Sequence, residues 1–262
     1  VTRGWKRAAL VAAVVASLLA GVMALLLRPY PPAALAPATA ALTVTDRRGE
    51  LLRVVPGTGI ARARWVPLAE VAPLAVVATL AGEDRRFFLH PGVDARALLR
   101  AAFQWATRGR IVSGGSTLTM QLARTLSPRP RTFLGKLGEV RAALRLERSL
   151  DKYAVLEQYL NRVGYGAGTV GIESAALRFF GRPAAALGDG EATLLAVLPR
   201  APRAYDLRTE AGRAAALARR TQVLLVMERE GFVTAEAHAR IIGEPLRWSS
   251  MPGATPPRPS GQ

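Results

Sequence analysis

Glu83 and Asp84 stand together in "AGEDRRFFLHPGVD" (residues 81–94), beside two arginines, two phenylalanines and one of only two histidines in the chain. The run before them, "VAPLAVVATL", is apolar enough to be a buried helix. A carboxylate held partly out of water at the end of such a helix can serve as a general base or acid near neutrality. The alternative is an exposed glutamate paired with Arg86 at i+3. A second segment, "VSGGSTLTMQLAR" (112–124), has a flexible double glycine, then Ser116 and Thr117 where a helix begins. Free N–H groups at a helix start bind anions, phosphates included. Thr117, Gln121 and Arg124 recur at i, i+4 and i+7, so one face presents a hydroxyl, an amide and a cation. The alternative there is a Ser or Thr N-cap on a surface helix. A third segment, "RPRTFLGKLGEVRAALRLERSL" (129–150), sets Arg131 before a helix and Lys136 and Glu139 one turn apart on it. Its alternative is a solvated ion pair. Together these segments offer two carboxylates, three cations and an anion-binding helix start. That set suits transfer of a group from a phosphate leaving group, with no nucleotide and no obligatory metal.

The elements that must position these groups are mostly helices. Apolar periodicity predicts them over Pro73–Glu83, Ala95–Ala106, Thr117–Leu126, Gly135–Leu150, Lys152–Val163, Ile172–Phe180, Gly190–Leu198 and Glu210–Glu230. Breaks fall at glycine and proline clusters such as "SPRPRT", "GYGAGTVG" and "LPRAPRAYD". Ahead of the helices, "LTVTDRRGELLRVV" (Leu42–Val55) alternates around a polar centre and predicts a small β-hairpin. The tail "MPGATPPRPSGQ" has the composition of a disordered segment. The expected organisation is one helical domain over 42–247, with a tail from 248 to 262.

The front of the chain is different. Residues 1–7 are basic, and Ala8–Leu27 is a twenty-residue run without a charge. At about 1.5 Å per residue a helix of that length crosses the roughly 30 Å hydrocarbon core. It exceeds the apolar region of most signal peptides, which favours an uncleaved anchor, although the alanines of 35–41 resemble a cleavage site. Arg3, Lys6 and Arg7 ahead of the span place the N-terminus in the cytoplasm and everything after Arg28 outside. Residues 28–41 read as a proline-rich stalk. The net charge of +17 attracts such a domain to anionic lipid and to anionic substrates presented on it. Nucleic acid is the other usual partner of that charge, but no zinc-finger spacing is present, aromatics are only 6% of residues, and an extracytoplasmic domain does not meet it. With no cysteine, disulfides and thiolate metal sites are excluded. Lysine occurs only at 6, 136 and 152, against thirty-three arginines, which singles out the two interior lysines.

Three motif matches do not stand. "GAGTVG" (166–171) fits the dinucleotide fingerprint, which requires a buried strand before it; here the preceding residues have helical spacing, so a glycine-rich turn between helices is expected. "SLDK" (149–152) lacks the companion elements of penicillin-reacting enzymes. "GGSTLTM" lacks the Gly-Lys of a phosphate-binding loop. No histidines have metal-ligand spacing and no D-x-D pair is present.

Five segments in order resemble the peptidoglycan glycosyltransferases of family 51, the domain found in class A penicillin-binding proteins and in monofunctional transglycosylases. "EDRRFFLHPGVD" matches E-D-x-x-F-x-x-H-x-G, and "GGSTLTMQLAR" matches G-x-S-T-x-T-x-Q-x-x-K. "GKLGE" is similar to R-K-x-x-E, "KYAVLEQYLNRVGYG" matches the fourth motif, and "RRTQVLLVM" matches R-x-x-x-V-L. The branch most resembled is that of penicillin-binding protein 1C. No transpeptidase domain follows the fifth motif, so the expectation is a monofunctional-like chain. The resemblance implies a mainly α, lysozyme-like, two-lobed domain with a small jaw and a minor β-hairpin, preceded by one transmembrane helix. It implies Glu83 as the base that deprotonates the 4-hydroxyl of lipid II, the acceptor. Attack on the lipid-pyrophosphate-linked glycan then makes an inverted β-1,4 bond and expels undecaprenyl pyrophosphate. Glu139 is implied as the second catalytic glutamate, with a divalent cation (Mg or Mn) as an optional helper near it. Arg124, Arg131 and Lys136 are implied to neutralise the leaving group, and Asp84, Phe87, His90, Ser116, Thr117 and Gln121 to line the cleft. Lipid II, the growing glycan, the inner membrane and other cell wall synthesis proteins are the implied partners, with the domain on the periplasmic side.

Three positions depart from the family pattern: Arg124 where lysine is usual, Met120 where glutamine is common, and Gly135 where the third motif has arginine. The change at 135 removes a phosphate contact and marks that position for reversion to arginine. Two other functions compete. A lysozyme-like lytic transglycosylase shares the fold but needs no set of cations for a pyrophosphate. A catalytically weak scaffold binding lipid II or wall enzymes follows if the departures disable the site.

Overall fold

The computed structural model describes residues 2–36, 42–45, 47, 51–55, 64–108, 115–130 and 132–249. Helix α1 (Thr2–Leu27) contains the whole uncharged run. Among the described residues no helix is long and apolar enough to cross a membrane; the side chains at 2–4, 6–8, 19, 22 and 25–27 of α1 lie outside them. The short α2 (Pro32–Leu35) follows. The expected hairpin is present as antiparallel β1 (Leu42–Thr45) and β2 (Leu51–Val55), with a register irregularity after Val44.

From residue 73 onward the molecule is helical: α3 (Pro73–Glu83), α4 (Ala95–Arg108), α5 (Leu118–Leu126), α6 (Phe133–Ser149) and α7 (Lys152–Arg162). A two-stranded hairpin, β3 (Gly164–Gly166) with β4 (Thr169–Val170), precedes α8 (Ile172–Phe180), α9 (Asp189–Val197), α10 (Glu210–Arg229) and α11 (Ala235–Gly243). Start signals are local. Thr117, Thr132, Asp151, Thr209 and Thr234 each cap a helix by accepting an N–H bond, and Pro73 opens α3 at a position where its missing N–H costs nothing.

Helix α9, "DGEATLLAV", is buried around its whole circumference, as a helix without a polar face must be. It packs against α3, α8, α10 and α11. The face that α3 buries is made of small residues, Ala75, Ala78, Thr79 and Ala81, which lets the axes approach. At Gly82 a Cβ would lie 3.2 Å from Val223 of α10. A second group forms where α5 buries Leu118, Thr119, Met120, Leu122 and Ala123 against α6 and α7. One hydrophobic cluster runs through both groups.

Residues 28–36 lie on the domain. Tyr30 is buried; its N–H donates to Ser149 Oγ (2.8 Å), and Arg145 lays its guanidinium over the ring, 5.6 Å from the centroid. Arg145 donates to the carbonyls of Arg28 (2.8 Å) and Pro29 (2.6 Å), and Gln158 to that of Leu35 (2.9 Å). The proline-rich segment is thus bonded to α6 and α7 as far as it is described.

Three expectations need correction. The glycine-rich segment is more than a turn, because four residues at positive φ (Gly166, Ala167, Gly168 and Gly171) fold it into β3–β4. Helix α11 lies beyond the last helix that periodicity predicts. Trp248 and Ser249, assigned to the tail, are held: Trp248 packs on Phe180 (5.6 Å between centroids) and Ser249 N–H donates to Phe179 O (2.8 Å). The remainder of that tail, 250–262, lies outside the described residues.

Candidate active site

Helix α3 ends at Glu83 because Asp84 leaves helical geometry (φ −156°, ψ 74°) and turns its carboxylate back into the protein. Asp84 accepts the Leu118 N–H at the start of α5 (2.9 Å) and faces His90 Nε2 at 3.0 Å. Thr117 caps the same helix start, accepting from Met120 N–H (3.1 Å) while its hydroxyl donates to Gly92 O (2.6 Å). The α5 start is therefore not an open anion site. Its Leu118 and Met120 N–H groups are taken by the protein's own oxygens, one of them a carboxylate, and in exchange the end of α3 is fixed to the beginning of α5.

Phe87 and His90 complete this knot. Phe87 is buried, with its ring edge-on to Phe88 (5.2 Å) and His90 (6.3 Å). Lys152 lies beneath it, 4.4 Å from the ring centroid, donating to His90 O (2.6 Å) and Glu147 Oε1 (2.8 Å). Thr119 donates to the same Glu147 oxygen at 2.6 Å. Asp84, Phe87, His90 and Thr117, expected to line a cleft, thus lie below the surface and bond to one another's neighbourhood.

Glu83 lies beside this knot, its side chain only 6% exposed. Gln121, one of the three residues on the expected α5 face, donates from Nε2 to Glu83 Oε2 at 2.9 Å. Arg200 approaches the other oxygen, Oε1, at 3.6 Å. The Tyr159 hydroxyl points at Gln121 Oε1 (3.5 Å), which leaves the amide nitrogen for Glu83. Burial first, and the charge of Glu83 second, push the Tyr159 hydroxyl well above its ordinary pKa, so it stays protonated and keeps its proton to donate. Arg219 of α10 donates to Gly82 O (3.0 Å), at the last turn of α3. Burial lowers the Arg219 pKa, with the Arg200 charge the next cause. Arg86, the i+3 partner considered from sequence, pairs with Asp94 at 3.2 Å and leaves Glu83 alone.

The second carboxylate, Glu139 of α6, meets α5 at Arg124, three residues beyond Gln121. Arg124 reaches Glu139 Oε1 at 3.8 Å, and Lys136 donates to Glu139 Oε2 at 2.9 Å and to Ser116 Oγ at 2.6 Å. Glu139 is 9% exposed, whereas Lys136 and Arg124 are 38% and 48% exposed. The cations thus keep much of their surface for a ligand while the carboxylate under them is covered. Arg131 lies outside the described residues. Ser116, Gln121, Arg124, Lys136, Glu83 and Glu139 are brought together, with α5 as the ruler between the two carboxylates.

The donor set around Glu139 does not fit a divalent cation by itself. Each of its oxygens already faces a positive group, and no three His, Cys, Asp or Glu converge among the described residues. Gly135 also proves not to be a simple vacancy. A Cβ there would lie 2.1 Å from the Pro130 carbonyl oxygen, so the backbone at Pro130 closes over the space an arginine would need. The Arg129 side chain lies over Gly138, with Nη1 2.5 Å from where a Cβ would be.

The sequence signals that could have found Tyr159 and Lys152 were present in the fourth segment, "KYAVLEQYLNRVGYG", and the one for Arg219 in the fifth; Arg200 carried none.

The comparisons give the class of domain to which this fold belongs. The family profile described as Transglycosylase matches residues 49–228. Penicillin-binding protein 1A of Aquifex aeolicus is 39% identical over 204 residues, covering 78% of this chain and 27% of that protein. Penicillin-binding protein 1C of Escherichia coli is 42% identical over 181 residues, covering 69% and 23%. The Biosynthetic peptidoglycan transglycosylase of Burkholderia cenocepacia is 40% identical over 164 residues, covering 61% and 67%. The chain belongs to the transglycosylase family. It spans about a quarter of the length of the penicillin-binding proteins it matches.

Proposed function

We propose that this domain is a peptidoglycan glycosyltransferase that polymerises lipid II. The observation that carries the reading is the single helix α5 holding both carboxylates: Gln121 bonds Glu83, and Arg124, one turn on, pairs with Glu139. Glu83 takes the proton of the acceptor 4-hydroxyl, and the freed oxygen attacks the anomeric carbon of the donor. The new bond forms on the face opposite the breaking C–O bond, so the linkage becomes β-1,4. The pyrophosphate leaves with that bond's electrons. Arg124 and Lys136, held in place by Glu139 and Ser116, stabilise the charge that develops there, and Arg131 joins them. No step is assigned to a metal. A hydrolase cutting glycan has no use for two cations over a covered carboxylate, which favours transfer over hydrolysis.

The two-lobed, jaw-bearing arrangement belongs to the same reading, as does a single-pass location in the bacterial inner membrane with the domain outside. Support for the anchor comes from the twenty uncharged residues within α1 and the basic residues before them.

The test is to give the full chain, reconstituted in vesicles, labelled lipid II and separate the products on a gel. A ladder of glycans is expected. Release of fragments from preformed glycan with no ladder establishes the hydrolase instead.

A further inference from the structure

Arg200 lies 117 residues from Glu83 in sequence, in none of the five segments that resemble the family, yet its guanidinium stands 3.6 Å from Glu83 Oε1. We infer that Arg200 is a positioning residue for Glu83, held there by the glycine-rich turn of residues 164–171. The inference rests on the reading of Glu83 as the base.

A carboxylate that must meet a substrate hydroxyl works best when its rotation is fixed, since misplacement by an ångström is costly to rate. Gln121 fixes one oxygen of Glu83. Without a partner on the other, the carboxylate turns about that single bond. Arg200 supplies the second partner, and does so from the solvent side: its side chain is 46% exposed while the carboxylate is 6% exposed. An exposed ion pair stabilises little. Here one member is covered, so the pair limits where the carboxylate points more than it stabilises the fold.

The placement of Arg200 is itself built. It ends a single 3-10 turn, Leu198–Arg200, with Leu198 buried and Pro199 restricting the backbone. Strand β3 packs against this turn. Gly166, at φ +87°, comes so close that a Cβ would lie 2.9 Å from the Pro202 carbonyl oxygen. The motif that failed as a nucleotide site thus serves as a rest for the Arg200 loop. The groups facing Glu83 are then accounted for element by element: Gln121 of α5, with Arg124 behind it, Tyr159 of α7, Arg200 of the turn after α9, Arg219 of α10, and Asp84 beside it in sequence.

The experiment compares Arg200→Gln, Arg200→Lys and Glu83→Gln in lipid II polymerisation by the vesicle-reconstituted chain, with thermal unfolding alongside. Expected for Arg200→Gln is a roughly tenfold to hundredfold fall in kcat with little change in KM or Tm, while Arg200→Lys recovers most of it. A raised KM at unchanged kcat overturns the inference and makes Arg200 a substrate anchor. Wild-type kinetics in Arg200→Gln also overturns it. If Glu83→Gln polymerises normally, the base reading has failed instead, whatever Arg200 does.

Discussion

At Glu139 two cations meet one carboxylate, and their different tasks follow from their geometry. Lys136, a point charge with three donors, satisfies Glu139 and Ser116 at once and remains available to a ligand. Arg124 approaches at 3.8 Å, the long end of an ion pair, so arginine at this position keeps a positive charge beside Glu139. Removing Lys136 as Lys136→Ala should lower kcat/KM by a factor of about a hundred or more, the usual loss for one preorganised donor at a developing charge; steady-state kinetics on lipid II checks this. Asp84 predicts a stability effect. With its side chain 5% exposed, it serves both His90 and the first N–H of α5. Asp84→Ala leaves both unpaired and should destabilise the protein by about 3 kcal/mol, read from urea unfolding. A loss below the noise of that measurement would mean the knot carries no load.

The helices do their positioning through their ends. α3 stops at Glu83, α5 starts at Thr117, and the loop before α6 closes on Gly135. That closure makes Gly135→Arg, attractive from the motif alone, a destabilising change: the added Cβ meets backbone at Pro130, which cannot swing aside as a side chain can. The expected result is a lower Tm with no gain in lipid II turnover, measured by melting and kinetics on one preparation. Much of this scale was legible in the sequence. Periodicity and capping residues placed eight helices within two residues of their observed ends, and "GGSTLTMQLAR" put Gln121 and Arg124 on one face. The contents of the glycine-rich segment were not legible, since strands two and three residues long come from positive-φ positions and tertiary contact, not from alternation. Nor was the use of the α5 start, because the anion that occupies it, Asp84, comes from a different segment. Arg200 shows the same limit most sharply: only the fold brings residues 83 and 200 together.

For the whole molecule, the path from α1 into the domain is clamped. Arg145 and Ser149 of α6 bind residues 28–30, and Gln158 of α7 binds Leu35. The helix that carries Lys136 and Glu139 is thus also the one that binds residues 28–30, just after α1. Arg145→Ala should loosen residues 28–36, seen as faster proteolysis there, and should lower polymerisation on vesicles more than in detergent, where orientation to a bilayer is immaterial. The central claim, that Glu83 is the base of a glycosyl transfer, is tested most directly by Glu83→Gln. Glutamine keeps the size of the side chain and a contact to Gln121 but cannot accept the acceptor's proton. With unfolding unchanged, the account predicts glycan ladders from wild type and none from the variant. Ladders of equal length and rate from a folded Glu83→Gln protein would contradict it.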